Sequence, residues 1–152
     1  MDWETYASRA EEVKTKLYRT ALMYLGDASA AEEALDETLY KGLLACGRLR
    51  EASYFQTWIT RILLNVCADE QRRKGRLLHL EELPETAQEA FDALPLRDAV
   101  SRLPKDLKSV VILRFFAGCT LAETAGILNI PQGTAATRQR KALALLKMEV
   151  DS

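Results

Sequence analysis

Apolar residues recur along this chain at intervals of three and four, the spacing of a helix that buries one face. No stretch shows the apolar–polar alternation of a half-buried strand bounded by turn dipeptides, and no internal repeat is visible. Val13, Leu17, Ala21 and Tyr24 predict one helix over 3–25. Gly26 and Asp27 break it, and Asp27 or Ser29 is placed to cap a second helix over 30–46, with Ala31, Leu35, Leu39 and Leu43 as its apolar stripe. Residues 47–53 form a polar joint. Phe55, Trp58, Ile62 and Val66, continued by Asp69, predict a third helix over 54–74 that ends in a basic tail and Gly75. Residues 76–94 are acidic, contain Pro84 and read as a linker. Four more helices follow, over 97–103, 106–117, 121–128 and 132–148. The fold class is therefore all-α: two small helical domains, 1–75 and 95–152, joined by the acidic linker 76–94.

Length and composition bound what these helices do. A chain of 152 residues with 48% hydrophobic content can bury one core or two small ones. The net charge of −1 excludes a chain that is basic overall, so any contact with nucleic acid has to come from local patches. Charge is sorted into blocks. Residues 27–37 hold five acids (Asp27, Glu32, Glu33, Asp36, Glu37) and no base, and 81–92 again hold five acids and no base. Residues 61–76 hold five bases (Arg61, Arg72, Arg73, Lys74, Arg76) against two acids, and 131–148 hold four bases and no acid. Such alternation suits a protein with more than one partner. Cys46, Cys67 and Cys119 are odd in number, widely spaced and lack CxxC spacing, which argues against a disulfide framework or a zinc site. They read as small buried hydrophobes of a protein in a reducing cytoplasm. No apolar run approaches the length of a membrane span, and no signal peptide is expected.

Residues 121–140 read as helix, turn, helix. Leu121, Ala125 and Leu128 face inward on the first helix, Asn129 takes the left-handed turn, Ile130 fills the corner, and Pro131 opens the second helix, where a missing N–H costs nothing. Ala135, Ala142 and Leu146 face inward on the second helix. Thr134, Thr137, Arg138, Arg140 and Lys141 then point outward, with Ala136 beside them. A recognition helix places such a face in the major groove, arginines on guanine edges and hydroxyls on bases or phosphates. A solvated basic helix end, favoured by the helix dipole, is the plainer account of the same residues.

The third helix joins Tyr54, Phe55 and Trp58 to Arg61, Asn65, Arg72 and Arg73. Aromatic rings beside cations suit unstacked single-stranded DNA, and an asparagine can read a base edge. Phe55 and Trp58 at helical spacing with Ile62 equally suit a core, and at least one of them is expected there. The acidic helix 30–46 reads either as a capped surface helix or as a docking face for a basic protein.

Taken together, these segments resemble the extracytoplasmic-function group of bacterial RNA polymerase sigma factors, in the sigma-70 family, over nearly the whole chain. LPKDLKSVVILRFFAGCTLAETAGILNIPQGTAATRQRKAL is similar to sigma region 4, AEEALDETLYKGL to the region 2 helix that docks on the coiled coil of the largest polymerase subunit, and YFQTWITRILLNVCADEQRRKGR to the helix that melts and reads the minus-10 element. The resemblance implies a promoter-specificity subunit whose partners are core RNA polymerase (coiled coil and flap), promoter DNA and an anti-sigma factor, often membrane-anchored in the family. It implies that Glu33, Asp36 and Glu37, with Glu32 beside them, dock on core polymerase. It places Ile62 and Asn65 at a pocket for a flipped minus-10 base, with Ala45 and Leu49 opposite, and makes Leu49–Tyr54 the loop that sets minus-10 specificity. Tyr54, Trp58, Arg61, Arg72 and Arg73 complete that surface. Thr137, Arg140 and Lys141 fall on minus-35 contact positions, flanked by Thr134, Ala136 and Arg138. This sequence departs from the family pattern at Asp36 (usually Gln), Leu49 (Phe), Asn129 (Gly), Ala136 (Lys or Arg) and Gln139 (apolar). The change at Ala136 removes one basic contact. The acidic linker fits, on the same resemblance, a channel that otherwise carries RNA.

Two other readings stand beside this one: a free-standing helix-turn-helix regulator, which needs a dimer to span two half-sites, and a helical adaptor that binds protein only. The aromatic–basic helix 54–74 disfavours the first and the acid-free face of 131–148 the second. An enzyme is not expected. His79 is the single histidine, there is no Gly-rich phosphate loop, and no pair of carboxylates marks a pocket. No cofactor, metal or small-molecule substrate is called for.

Overall fold

A computed structural model describes residues 1–74 and 96–151. Within them there are helices and turns and no strand. The chain divides into two compact units, Met1–Leu83 and Pro84–Ser152. The expected linker 76–94, with His79 and the acids of 81–92, lies outside the described residues.

In unit 1, α1 (Trp3–Leu25), α2 (Ala28–Ala45) and α3 (Phe55–Lys74) pack on one another. The Asp2 carboxylate caps α1 by accepting from the Thr5 amide at 2.8 Å, and Gly26 ends it at φ 70, a conformation that glycine adopts without strain. Of the two candidate caps for α2, Asp27 is used: its carboxylate accepts from the Ser29 amide at 3.1 Å. The helix consequently begins at Ala28, two residues earlier than its apolar stripe suggests. The polar joint contains two 3-10 turns, Cys46–Arg48 and Ala52–Tyr54.

The core of this unit collects Tyr6, Leu17, Ala31, Leu35, Cys46, Phe55, Ile59 and Leu63, among others. Two expected stripes are corrected. Leu43 does not join the core but stands 43% exposed, because α2 turns Gly42 inward instead. A Cβ on Gly42 would lie 2.4 Å from the Tyr6 hydroxyl and 2.9 Å from Ile59, so a close crossing of three helices depends on this glycine. On α3 Phe55 and Val66 are buried as expected, but between them Ile59 and Leu63 fill the core in place of Trp58 and Ile62. Trp58 and Ile62 are thereby moved to the edge of the core and Asp69 to the surface.

In unit 2, residues 96–101 (α4), α5 (Lys105–Val111), a π turn (Ile112–Phe116), α6 (Leu121–Leu128) and α7 (Gln132–Asp151) surround Val100, Leu107, Val110, Ile112, Leu113 and Ala125. The helix expected over 106–117 is thus an α-helix that widens into a π turn, with the Ala117 amide donating to the Ile112 carbonyl at 2.9 Å. Thr120 and Glu123 form a capping box at the start of α6. Its inward residues are Thr124, Ala125 and Ile127, whereas Leu121 and Leu128, expected inside, are half-buried. Buried Thr124 satisfies its hydroxyl on the Thr120 carbonyl one turn back.

Candidate functional site

The helix–turn–helix of unit 2 is set by its corner. Asn129 adopts φ 59 and ψ 49, the left-handed conformation expected of it, and the Ile130 amide reaches back to the Ala125 carbonyl at 3.0 Å. Pro131 sits just ahead of α7: its carbonyl accepts from the Thr134 amide at 3.0 Å and the Ala135 amide at 3.1 Å. Ala135, Ala142 and Leu146 are buried as expected. Thr137, Arg140 and Lys141 are exposed, Thr134, Ala136 and Arg138 half-buried. The Thr137 hydroxyl donates to the Gly133 carbonyl at 3.0 Å, and Arg140 lies over it at 3.4 Å. Arg138 turns away from this group, its Nε 3.8 Å from the Asp106 carboxylate on α5. The exposed surface of α7 therefore presents Thr137, Arg140 and Lys141 as one patch with no acid on the same helix from Gln132 to Lys147.

In unit 1 the candidate residues fall on two neighbouring surfaces. Glu32, Glu33, Asp36 and Glu37 are all exposed on α2. Glu37 pairs with Lys41 one turn on at 3.2 Å, and the same helix continues outward into exposed Tyr40, Leu43 and Leu44. On α3, Arg61 and Asn65 are exposed one turn apart, with Ile62 half-buried between them. Ala45 and Leu49 are half-buried at the end of α2 and the start of the joint. Tyr54 is 63% exposed, open to stacking, while Trp58 packs edge-on against Tyr6 at 6.3 Å and tilted against Phe55 at 5.9 Å. Phe55, 2% exposed, is core. The two aromatics weighed for stacking at the start of this helix thus have structural work, and the open ring is that of Tyr54.

Arg72 and Arg73 are exposed but engaged within α3, Arg72 by Asp69 and Arg73 by Glu70. The hydrogen bond and charge of Glu70 raise the Arg73 pKa, and Glu37 and Glu33 on α2 act in the same direction. The basic tail of α3 is therefore a mixed surface whose cations can reach a phosphate by giving up local partners. Burial pushes the Cys67 thiol up to about 12, with the Glu70 charge adding to it, so this thiol stays protonated and unreactive. None of the three cysteines is in a disulfide, and all three are buried. Among the described residues no group of three or more His, Cys, Asp or Glu is placed to hold a metal ion, and no helix is long and apolar enough to cross a membrane.

Sequence reasoning passed over two features. The Thr120–Glu123 capping box is legible as T-x-x-E. Arg114, on the π turn, donates from Nε to Gln139 Oε1 on α7 and from Nη1 to the Cys119 carbonyl, both at 2.8 Å. Gln139 had stood out as polar at an apolar position, but its partner lies 25 residues away, beyond any periodicity.

Two family models match the chain: "Sigma-70 region 2" over residues 10–77 and "Sigma-70, region 4" over residues 93–146. The chain is similar to the RNA polymerase sigma factor SigV of Bacillus subtilis, 25% identical over 90% of this chain and 86% of that protein. It is also similar to the ECF RNA polymerase sigma factor SigW of the same organism, 24% identical over 98% and 90%. Among solved structures, the sigma factor RpoE in complex with the anti-sigma factor NepR, from Bartonella quintana, has the same fold, with a TM-score of 0.86 at 20% identity over 97% of this chain and 98% of that one.

Proposed function

The chain belongs to the sigma-70 family, in its extracytoplasmic-function group, and on that premise we propose that it is a promoter-specificity subunit that binds core RNA polymerase and directs initiation at minus-10 and minus-35 elements. The observation that carries this is the pairing, in one chain and in order, of a region 2 match on unit 1 with a region 4 match on unit 2. A free-standing regulator or a protein-binding adaptor needs only one of them.

In this reading Glu32, Glu33, Asp36 and Glu37 meet a basic surface of core polymerase. Ile62 and Asn65, with Ala45 and Leu49, hold an extruded minus-10 base, Tyr54 stacks on a neighbouring one, and Arg61, Arg72 and Arg73 hold the strand's phosphates, Trp58 supporting the surface from beneath. Arg140 reads a base edge in the minus-35 element, Thr137 and Thr134 contact bases or phosphates, Lys141 a phosphate, and Arg138 and Ala136 flank them. The chain acts by binding, in the cytoplasm, and carries out no chemistry of its own. Its domains are 1–75 and 95–152, with 76–94 between them. A solved structure of this fold holds a sigma factor bound to an anti-sigma factor, and we propose an antagonist of that class here.

The test is reconstitution. The chain, mixed with core RNA polymerase, is expected to co-elute with it and to confer initiation on a subset of a random promoter library that core alone does not transcribe. A chain that binds duplex DNA as a dimer and does not co-elute with core would replace this proposal with the free-standing regulator.

A further inference from the structure

The inward face of α7 carries an anomaly. Ala135, Ala142 and Leu146 are buried at helical spacing, and Gln139 occupies the intervening position on that face. Alanines permit close packing but grip weakly: a helix resting on them can roll or slide with little change in contact. Gln139 is gripped. The Arg114 guanidinium donates from Nε to its Oε1 and from Nη1 to the Cys119 carbonyl, each at 2.8 Å, and the Arg114 Cζ stands 5.2 Å from the Phe115 ring centre. One planar fork thus ties three elements: the π turn that bears it, the turn leading into α6, and the middle of α7. Gln139 directly precedes Arg140 and follows Thr137 by two residues, so whatever fixes Gln139 fixes the azimuth of the reading face. Arg138, tied to Asp106 at 3.8 Å, braces the same segment from α5.

We infer that Arg114 and Gln139 are a positioning pair that sets the roll and register of α7 against duplex DNA; this rests on the proposed reading role of α7. A matched polar pair in an otherwise apolar contact contributes little net stability compared with an apolar replacement, but it admits one geometry where an apolar contact admits several. Base reading is sensitive to displacements well below the width of a base pair, so the consequence falls on sequence discrimination before it falls on folding. Neither residue touches DNA in this account.

The experiment uses the full chain assembled with core RNA polymerase and a pool of promoter duplexes randomised over the upstream element, with bound sequences read by sequencing. Gln139→Leu, which leaves the half-buried Arg114 Nε–H without its acceptor, is expected to keep core binding with at most a modest fall in melting temperature, while its preference for the selected element over its single-base variants drops about tenfold, the scale of losing one good base contact. Gln139→Glu, which keeps an acceptor for the fork, is expected to retain the preference ratio while binding all duplexes more weakly through its added charge. A Gln139→Leu chain with wild-type preference overturns the inference. So does one whose affinity for all duplexes and melting temperature fall together with the ratio unchanged, which is the signature of a merely structural role. If Gln139→Leu fails to fold, Arg114→Lys, which keeps the charge and loses the fork, decides in its place: lost preference supports the pair and retained preference overturns it. A wild-type chain that enriches no upstream sequence would sink the reading role of α7 itself and the inference with it, an outcome distinct from an unchanged variant beside a discriminating wild type.

Discussion

The last described helix of each unit is 20 residues long and exposes arginines, and the two helices treat those arginines in opposite ways. On α3, Arg72 and Arg73 are answered within their own helix, by Asp69 and Glu70 three residues back, and acids of α2 bear on Arg73 as well. On α7 there is no acid between Gln132 and Lys147; Arg138 finds Asp106 only on another helix, while Arg140 and Lys141 project on the exposed side. A surface with both signs close together is weakly attractive to DNA at a distance, so in the proposed reading α3 works through short-range features, the open ring of Tyr54 and the exposed amide of Asn65. A surface of one sign attracts phosphate before any specific contact forms. The contrast supports the proposed division, an opened strand for unit 1 and duplex DNA for unit 2.

The strongest way to break this assignment is at α2. Glu33→Lys with Glu37→Lys is expected to abolish co-purification with core polymerase, since like charges facing each other across an interface cost several kcal/mol. The reversal also sets a cation beside Lys41, which Glu37 now pairs at 3.2 Å, but that pair is exposed and its loss should cost the fold less than about 1 kcal/mol. A double variant that still elutes with core in wild-type amount removes the acidic face of α2 from the interface.

Next in size is a test of how tightly unit 1 is built. Gly42→Ala would press a methyl group against the Tyr6 hydroxyl, which donates to the Leu39 carbonyl at 2.7 Å, and against Ile59. The expected loss is about 1–3 kcal/mol, the usual cost of overpacking a filled core. Denaturant unfolding measures it; a neutral result would mean that the three helices separate freely at this crossing.

The comparison is sharpened by exchanging losses between the units. Asn65→Ala should weaken open-complex formation by about 1–3 kcal/mol, the worth of a good base contact, and leave binding to a duplex minus-35 fragment unchanged. Arg140→Ala should do the reverse, relaxing discrimination at one or two minus-35 positions. Lys141→Ala should weaken all duplexes alike and lower the slope of log affinity against log salt by about one unit. Equal losses for Arg140→Ala and Lys141→Ala on every sequence, with matching slopes, would show that α7 only clamps the backbone.

What the sequence disclosed follows from what is local. Asn129 at a turn and the acid-free run after Glu123 are properties of neighbours in sequence, and both appear in the structure as expected. On α3 the ends of the expected stripe, Phe55 and Val66, are core, but its middle differs, because Trp58 and Ile62 are as apolar as Ile59 and Leu63. Which pair lies at the centre is decided by packing against α1 and α2, where Tyr6, Leu17, Ala31 and Leu35 share the core with Ile59 and Leu63. Leu43 was assigned to the core for the same reason: hydrophobicity outweighed a glycine whose value lies in what it lacks. The widening of α5 into a π turn and the Arg114–Gln139 bond had no local signature, since one is an insertion felt only through packing and the other spans 25 residues.

The smallest expected effect has the opposite sign to that at Gly42 and depends on the same chemistry. Gly126 lies within α6, exposed, and a Cβ there would meet nothing within 4 Å. Its cost is conformational: glycine loses more backbone freedom on entering a helix than alanine does. Gly126→Ala should therefore stabilise unit 2 by about 0.5–1 kcal/mol, seen as slower amide exchange along α6 and α7 with exchange in α1–α3 unchanged. Faster exchange would mean that the short α6 has to yield there for the corner at Asn129, whose amide donates to the Gly126 carbonyl at 3.3 Å, to close. In that case the tight fit at Gly42 would have a counterpart in unit 2.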